Sequence, residues 1–279
     1  MVRMTINEIQ SVSFDILKYV NSFCQQRHLT YFLDSGTLLG AAREKGFIPW
    51  DDDVDIMMPR PEYDRFEREF VDNDEYMLFS YRRGNSYLPY MRVCEMKKTL
   101  YGQRILWTRD SPGVGIDIFP LDGAPSSPEQ YALLAEKAGR EIAKITRLRS
   151  AITGGRTFRR SLIGLAKDSL HWMADLYLKY NFQSKIEGAF KRLNEFRMSN
   201  DYQSSERCFH LLIPGKLRRY WERSWFEQTE LLEFCGYKLP APIGYAERLS
   251  AEYGDWKTPP PESERRGHEC GQTMYWREK

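Results

Sequence analysis

The first part of the chain has a regular spacing of apolar residues. They recur every three or four positions, as on one face of a helix; they are Ile9, Val12, Ile16, Val20 and Phe23. Thr5 and Glu8 stand at the spacing of a capping box, in which each side chain binds the other residue's backbone N–H. The pattern predicts a helix from residue 6 to about residue 27, laid on the core.

Shorter apolar segments of strand length follow this helix. They cover Leu29 to Leu33, Tyr76 to Tyr81, Leu88 to Met96 and the alternating run from Gly113 to Gly123. A helix is predicted between the first two, from Pro61 to about Phe70, because proline is favoured at the first helical position. The predicted strands therefore lie in the first 130 residues.

The middle of the chain is predicted to be helical. Apolar residues keep helical spacing after Ser127-Pro128-Glu129, stop at Thr153-Gly154-Gly155, and resume from Leu162 to Tyr180. With strands and helices both predicted, we expect an α+β fold. We expect three segments: a core at 1–130, a mostly helical region at 131–225, and a C-terminal elaboration at 226–279 that packs back on the core.

Carboxylates alternate between residues 51 and 55. Residues two apart in a strand share a face, so Asp53 and Asp55 are expected to point the same way while Val54 and Ile56 point into the core. Carboxylates a few Å apart repel unless a cation lies between them. Mg²⁺ suits such a place because it takes one or two carboxylates together with substrate phosphates. The alternation therefore indicates phosphoryl chemistry.

Two simpler interpretations of these carboxylates compete with a catalytic site. A run of Asp is often a solvated loop, but Ile48 and Trp50 before it and Met57 after it favour a buried frame. An EF-hand calcium loop needs glycine at its sixth position, where this chain has Ile56. The neighbouring residues therefore argue against both.

A glycine turn is predicted just before the carboxylates. Ser35-Gly36-Thr37 follows an apolar run, and a short helix is expected from Leu38 to Arg43. Exposed backbone N–H groups at such a turn bind phosphate oxygens. The alternative is that glycine stands at position 36 only because of its backbone freedom.

A third acidic residue stands further along the chain. Asp117 lies between Ile116 and Ile118 in strict alternation, so its carboxylate is expected to face away from the core. On that side it could meet Asp53 and Asp55. A lone Asp on a strand is otherwise usually a solvent-facing residue.

The composition is that of a folded globular protein. Hydrophobic residues make up 42% of the 279 residues and aromatic residues 14%, which excludes disordered and fibrous chains. No stretch approaches the roughly 18–20 apolar residues of a membrane span, and the first residues lack an apolar signal core. The five cysteines and four histidines are scattered, so no zinc site is predicted. We expect a cytoplasmic protein with reduced thiols.

One segment carries excess positive charge, although the net charge is only +2. Its eight basic residues indicate an anionic partner; they are Arg140, Lys144, Arg147, Arg149, Arg156, Arg159, Arg160 and Lys167. The amphipathic stripe from Leu162 to Tyr180 favours a packing surface, with peripheral contact at the inner face of a membrane as the alternative. No nucleic-acid-binding motif accompanies the segment, so no nucleic-acid partner is predicted.

Residues 34–66, DSGTLLGAAREKGFIPWDDDVDIMMPRPEYDRF, resemble the signature of the LicD/fukutin-related phosphotransferase family, a branch of the nucleotidyltransferase superfamily. The superfamily pattern has a Gly-Ser or Gly-Thr turn, an Asp-x-Asp on the next strand and a third acidic residue on a neighbouring strand. Gly36-Thr37, Asp53-Val54-Asp55 and Asp117 match these parts. The likeness returns at Leu239–Tyr245 and Tyr253–Trp256 and leaves out about residues 140 to 220.

The resemblance implies a nucleotidyltransferase-like catalytic core in residues 1–130, built as a mixed β-sheet flanked by helices. It also implies that the middle segment selects the acceptor. It implies Mg²⁺ as cofactor, one or two ions with Mn²⁺ as an alternative, held by Asp53, Asp55 and Asp117. The donor would be a CDP-alcohol such as CDP-choline, and the acceptor a sugar hydroxyl of a cell-surface glycan or a lipid-linked saccharide, with release of CMP. The residues expected to contact the donor phosphates are Ser35, Gly36, Thr37, Arg43, Lys45 and Arg92.

Two other functions remain as hypotheses. One is transfer of the nucleotide itself from a nucleoside triphosphate to a sugar or small alcohol, with release of pyrophosphate. The other is a non-catalytic module that binds a glycan or a nucleotide. The presence of all three acidic positions argues against an inactive module.

Overall fold

The computed structural model describes residues 1–102, 112–153, 182–210, 219–265 and 274–277. The helices are α1 (Ile6–Arg27), α2 (Ser35–Arg43), α3 (Arg60–Glu69), α4 (Pro128–Thr153), α5 (182–197) and α6 (Tyr245–Tyr253). The strands are β1 (Val2–Arg3), β2 (Phe32–Leu33), β3 (Asp55–Pro59), β4 (Tyr76–Phe79), β5 (Met91–Glu95), β6 (Thr99–Tyr101), β7 (Gly115–Ala124), β8 (Arg207–Phe209), β9 (Trp221–Glu222), β10 (Thr229–Phe234), β11 (Tyr237–Pro242) and β12 (Met274–Trp276).

The predicted first helix is confirmed, including its cap. The Thr5 hydroxyl accepts the Glu8 backbone N–H at 3.3 Å, and the Glu8 carboxylate accepts the Thr5 N–H at 2.7 Å. Ile16, Leu17 and Val20 on its inner face are fully buried in the main core. Local capping and burial of one apolar face therefore both favour this helix.

The central sheet has the strand order β2-β3-β7-β5-β4, and β8 and β9 continue it from β7. β3 and β7 run parallel, while the other pairings in this sheet are antiparallel. Helices pack around the mixed sheet, so the predicted α+β fold is confirmed.

Both faces of this sheet are covered, and the period-two alternation decides which residue faces where. Ile56 and Ile118 belong to the main core with α1. Met57 and Phe119 face the opposite side, in a second cluster that includes Trp221. Asp55 and Asp117 therefore share a face with this second cluster, at its edge.

The C-terminal part packs back on the main core. The β10–β11 hairpin contributes Phe234 and Leu239, and α6 and the loop after it contribute Leu249 and Trp256. This packing brings residues about 200 positions apart next to α2, and so builds one wall of the cleft described below. The division of the chain at residues 130 and 225 stays a prediction.

The helical middle has a core of its own between α4 and α5. Ala138 and Ile145 pack with Ile186 and Phe190, and the Phe190 ring stacks on Tyr81 with centroids 3.7 Å apart. The predicted helical pattern from Leu162 to Tyr180 lies outside the described residues. Cys24, Cys94 and Cys208 are buried free thiols and Cys235 is an exposed one, while Cys270 lies outside the described residues.

Candidate active site

The register of the two parallel strands brings two of the predicted carboxylates together. Asp55, the first residue of β3, is paired with Asp117 of β7. On the other side of β7, Arg92 of β5 is also paired with Asp117. Asp53 comes just before β3, not within it. The acidic pair therefore depends on the pairing of strands that are about 60 residues apart.

Asp117 is held by a basic residue that we expected to contact substrate. Arg92 donates from Nη2 to Asp117 Oδ2 at 2.8 Å and also from Nε to Oδ1, so the pair is bidentate. Asp117 is only 8% exposed. Because the guanidinium neutralises this carboxylate, Asp117 would have to leave Arg92 before it could bind a metal ion with both oxygens.

Asp55 lies among several negative charges. Burial raises the pKa of its carboxyl well above the ordinary value, and the charges of Asp53, Asp117, Asp34 and Asp51 act in the same direction. The folded protein therefore disfavours the ionised form of Asp55 unless a cation compensates for it.

The predicted turn at Ser35-Gly36-Thr37 is wrong in detail, because α2 already begins at Ser35. Its first turn includes Ser35 in the left-handed region, with φ 47°, and the Thr37 hydroxyl accepts the Asp55 backbone N–H at 2.9 Å. A Cβ on Gly36 would overlap an oxygen of the Asp51 carboxylate. The glycine therefore allows the helix N-terminus and an acidic side chain to approach each other.

A cleft of about 690 Å³ opens over the N-terminus of α2. Ser35 and Gly36 line it together with three carboxylates, those of Asp51, Asp53 and Asp55. Its lining also includes Arg219, three aromatic side chains and the proline run 259–261. A volume of this size is in the range of small-ligand sites.

The other two predicted basic residues have different surroundings. Arg43 lines the cleft, but it pairs with Glu44 at 2.7 Å and donates to the Trp256 carbonyl at 3.2 Å, so it supports the loop after α6. Lys45 is exposed, and its carbonyl accepts the Cys235 N–H at 2.8 Å. The structure therefore places Arg43 at the site and Lys45 on the surface beside it.

A buried chain of charged residues supports the cleft and was missed by sequence reasoning. Asp34, which precedes α2, pairs with Arg248 of α6, and both side chains are fully buried. Arg248 Nη1 is 2.5 Å from Glu252 Oε2, and Glu252 Oε1 is 3.2 Å from Arg219 Nη2. This chain fixes Arg219 at the cleft wall. No local pattern marks it, because Asp34 and Arg248 are 214 positions apart.

His210 contacts the same buried chain. Its Nε2 is 3.3 Å from Asp34 Oδ2, and the imidazole stacks on Trp221 at 5.3 Å. Burial, followed by the charges of Arg219 and Arg248, holds the pKa of His210 well below its usual value. The imidazole is therefore neutral at pH 7 and does not form an ion pair with Asp34.

The acidic residues are suitable metal ligands, but their side chains are not arranged as a complete coordination site. Across the described residues, His, Cys, Asp and Glu side chains do not converge in threes as a ready-made metal site. The carboxylates of Asp53 and Asp55 nevertheless supply hard oxygen ligands, and the burial and acidic neighbours that raise the pKa of Asp55 would make a bound cation favourable there. These donors fit a Mg²⁺ ion whose coordination is completed by substrate phosphates and water.

Comparison with known proteins gives the family. A family model described as "LicD/FKTN/FKRP, nucleotidyltransferase domain" matches residues 28–127. The lipopolysaccharide cholinephosphotransferase LicD of Haemophilus influenzae is 30% identical over 275 residues, which cover 96% of this chain and 97% of that protein. The chain belongs to the LicD family. It is therefore an enzyme, a LicD-like phosphotransferase, and the resemblance seen in residues 34–66 is confirmed.

Two uncharacterised proteins are similar to this chain over shorter segments. One from Rickettsia typhi is 40% identical over 55 residues, 19% of this chain and 18% of that protein. One from Rickettsia prowazekii is 42% identical over 43 residues, 15% of this chain and 16% of that protein. No helix in the described part of the chain combines the length and apolar composition needed to cross a bilayer.

Proposed function

We propose that this enzyme transfers phosphocholine from CDP-choline to a sugar hydroxyl of lipopolysaccharide or a related cell-surface glycan, with Mg²⁺ and with release of CMP. The observation that carries the proposal is the cleft in which three carboxylates meet the N-terminus of α2. The Haemophilus relative, similar over nearly its whole length, is named for cholinephosphate transfer to lipopolysaccharide. Phosphoryl transfer needs positioning and charge neutralisation more than covalent help from the protein, and this cleft would supply both once Mg²⁺ is bound.

Asp53 and Asp55 are the residues that would hold the metal ion. Both line the cleft, and the pKa of Asp55 is raised by burial and by its acidic neighbours. When bound, the ion would neutralise the donor diphosphate and stabilise the negative charge that develops on its oxygens. Asp117 adds to the negative charge around Asp55, and a direct role as a ligand or as a general base requires release from Arg92.

Two protein features would bind the donor phosphates. Ser35 and Gly36 in the first turn of α2 line the cleft, and helix N-termini bind anions through their backbone N–H groups. Arg219 lines the same cleft and is fixed by Glu252 at 3.2 Å. We therefore assign Ser35, Gly36 and Arg219 to the diphosphate, and Thr37 to the positioning of Asp55.

The acceptor is proposed to approach along the helical middle. Four basic residues at helical spacing form an exposed stripe on α4, which we call the basic face of α4; they are Lys137, Arg140, Lys144 and Arg147. Such a face attracts phosphate-rich saccharides and anionic lipid surfaces. It supports a lipid-linked acceptor and a peripheral location at the inner face of the membrane. The basic residues Arg156, Arg159, Arg160 and Lys167 lie outside the described residues.

Product analysis tests the proposed reaction. Purified protein is incubated with CDP-choline and lipopolysaccharide that lacks phosphocholine, with Mg²⁺ or with EDTA, and CMP and acceptor-bound phosphocholine are quantified. We expect equal amounts of both products with Mg²⁺ and neither with EDTA. Asp53→Asn should abolish them, while Asp74→Asn, in an exposed turn, should not.

Parallel incubations test the alternatives. Pyrophosphate release from a nucleoside triphosphate, without CMP from CDP-choline, would replace the proposal by nucleotidyl transfer. Thermal shift with CDP-choline, CDP-ethanolamine, CDP-glycerol and CDP-ribitol ranks the donors, since a ligand at 100 times its Kd stabilises by about 2.7 kcal/mol. A larger shift with another CDP-alcohol would change the transferred group without changing the reaction.

A further inference from the structure

Three aromatic side chains line the cleft that also holds the acidic residues; Trp50, Tyr253 and Trp256 are called the aromatic wall below. Trp256 is only 8% exposed, and its indole N–H donates to the Ser250 hydroxyl at 3.2 Å. Trp50 is partly buried against the main core, and Tyr253 is 40% exposed. At least two of these rings are therefore held in place before any ligand binds.

Both indole rings of the aromatic wall already carry a cation. The Arg265 guanidinium lies 5.3 Å from the centroid of the Trp50 ring, and Lys257 Nζ lies 5.6 Å from that of Trp256. Cations within about 6 Å of a ring centroid are attracted by the negative ring face. The contacts show that each indole ring has a face within reach of a positive group.

Arg265 is weakly held over Trp50. Its Nε donates to the Pro260 carbonyl at 3.0 Å, and its Nη1 is 3.9 Å from a Glu262 carboxylate that is 91% exposed. Exposed ion pairs of this kind contribute little to stability. A ligand cation could therefore take the place of this guanidinium at small cost.

We propose that the aromatic wall binds the trimethylammonium group of the donor, and that this group displaces Arg265 from the face of Trp50. This inference rests on the proposed function and adds the residues that select choline. A quaternary ammonium has no N–H to donate, so it is recognised by aromatic faces, apolar contact and nearby negative charge. The wall supplies the ring faces, and the proline run 259–261 supplies apolar contact for the methyl groups.

Carboxylates beside the wall supply the negative charge. Asp255 and Glu264 both line the cleft. The hydrogen bond from Thr258 lowers the pKa of Asp255, so this carboxylate is charged at pH 7. A charge near the methyl groups favours a cation over a neutral group of the same shape, which gives the proposal a direct test.

The test compares two ligands of one shape and different charge. Phosphocholine and 3,3-dimethylbutyl phosphate differ in that the second has a carbon in place of the quaternary nitrogen. Binding to the full-length protein is measured by titration calorimetry without turnover. A cation–π contribution predicts that phosphocholine binds about 2- to 30-fold more tightly than its neutral isostere. Equal affinities would overturn the proposal.

Two substitutions have opposite expected effects. Trp50→Leu should lower the ratio of the two affinities about 2-fold or more, because the ring face is lost while apolar volume remains. Arg265→Gln should raise the affinity for phosphocholine about 2-fold or more and that for the isostere less, because both ligands displace this side chain but only the cation is repelled by its charge. The matched control is Tyr237→Leu, an exposed ring with Lys18 at 5.8 Å that does not line the cleft, and it should change neither affinity.

CMP binding separates this assignment from base stacking on the same rings. If Trp50→Leu weakens CMP and leaves the ratio of phosphocholine to isostere unchanged, the wall binds the cytosine and the proposal is wrong. The ratio of the affinities for phosphocholine and its isostere is also measured independently of the proposed reaction. An unchanged ratio in a Trp50→Leu enzyme that transfers phosphocholine overturns only this inference, whereas charge-selective binding without CMP release from CDP-choline overturns only the reaction.

Discussion

Replacement of Asp55 by Asn separates a catalytic carboxylate from a structural one. The change keeps the shape of the side chain and removes its charge, while the backbone N–H that donates to Thr37 at 2.9 Å is untouched. If Asp55 holds Mg²⁺ against the donor, turnover should fall by about 10²–10³, the typical cost of losing one preorganised electrostatic contact. Stability without metal should instead rise, because one of several repelling charges is gone.

The expected gain in stability of Asp55→Asn follows from the pH dependence of the free energy of unfolding. Burial and the neighbouring carboxylates raise the folded-state pKa of Asp55 above its value of about 3.9 in an unfolded chain. Between these two values the folded protein holds a proton that the unfolded chain has lost. The free energy of unfolding therefore falls as the pH rises through this window, by up to about 1.4 kcal/mol per pH unit from this group. Asp55→Asn should remove that slope.

Urea unfolding in EDTA from pH 4 to pH 8, followed by circular dichroism, measures the slope for both proteins. The variant should be the more stable one at pH 8, and each kcal/mol should raise Tm by about 2–4 °C. Asp74→Asn is the matched control, since Asp74 is exposed in the turn before β4. An unchanged slope, or a variant less stable than the parent at pH 8 without metal, would refute the electrostatic reasoning.

Three further predictions test the surroundings of the site. Arg92→Met leaves the buried Asp117 without its partner, so the free energy of unfolding in urea at pH 7 should fall by about 3–5 kcal/mol. A second change, Asp117→Asn, should restore most of it, and a loss below 1 kcal/mol in the single variant would contradict this reasoning. Gly36→Ala displaces the Asp51 carboxylate and should lower kcat about 10- to 100-fold, whereas Gly188→Ala on α5 should leave kcat unchanged. Charge reversal of the basic face of α4 should raise the KM for the acceptor at low salt and not that for CDP-choline, an effect that high salt should reduce.

Much of the fold follows from local patterns in the sequence. Helix α1 and its cap follow from Thr5, Glu8 and the apolar face, since each contact lies within four residues. The predicted start of α2 was three residues too late. The first residue of the helix, Ser35, adopts a positive φ, which is uncommon for serine and is not predicted from the sequence. The direction of each strand residue followed from period-two alternation, which predicted that Asp55 and Asp117 would share a face.

The partners of the charged residues were decided by the tertiary structure. Arg92 was expected at a phosphate and instead binds Asp117, because the strand order places β5 beside β7. Asp34 pairs with Arg248 only because α6 packs on α2. The aromatic wall joins Trp50 to residues 253–256 in the same way. The sequence by itself determined most helices and strands of the first 130 residues and the faces of their residues, since these depend on neighbours a few positions away. The strands β8–β12, all of which lie after residue 206, were not predicted. Strand order and helix packing join residues up to 214 positions apart, and such pairs leave no periodic signal in the chain.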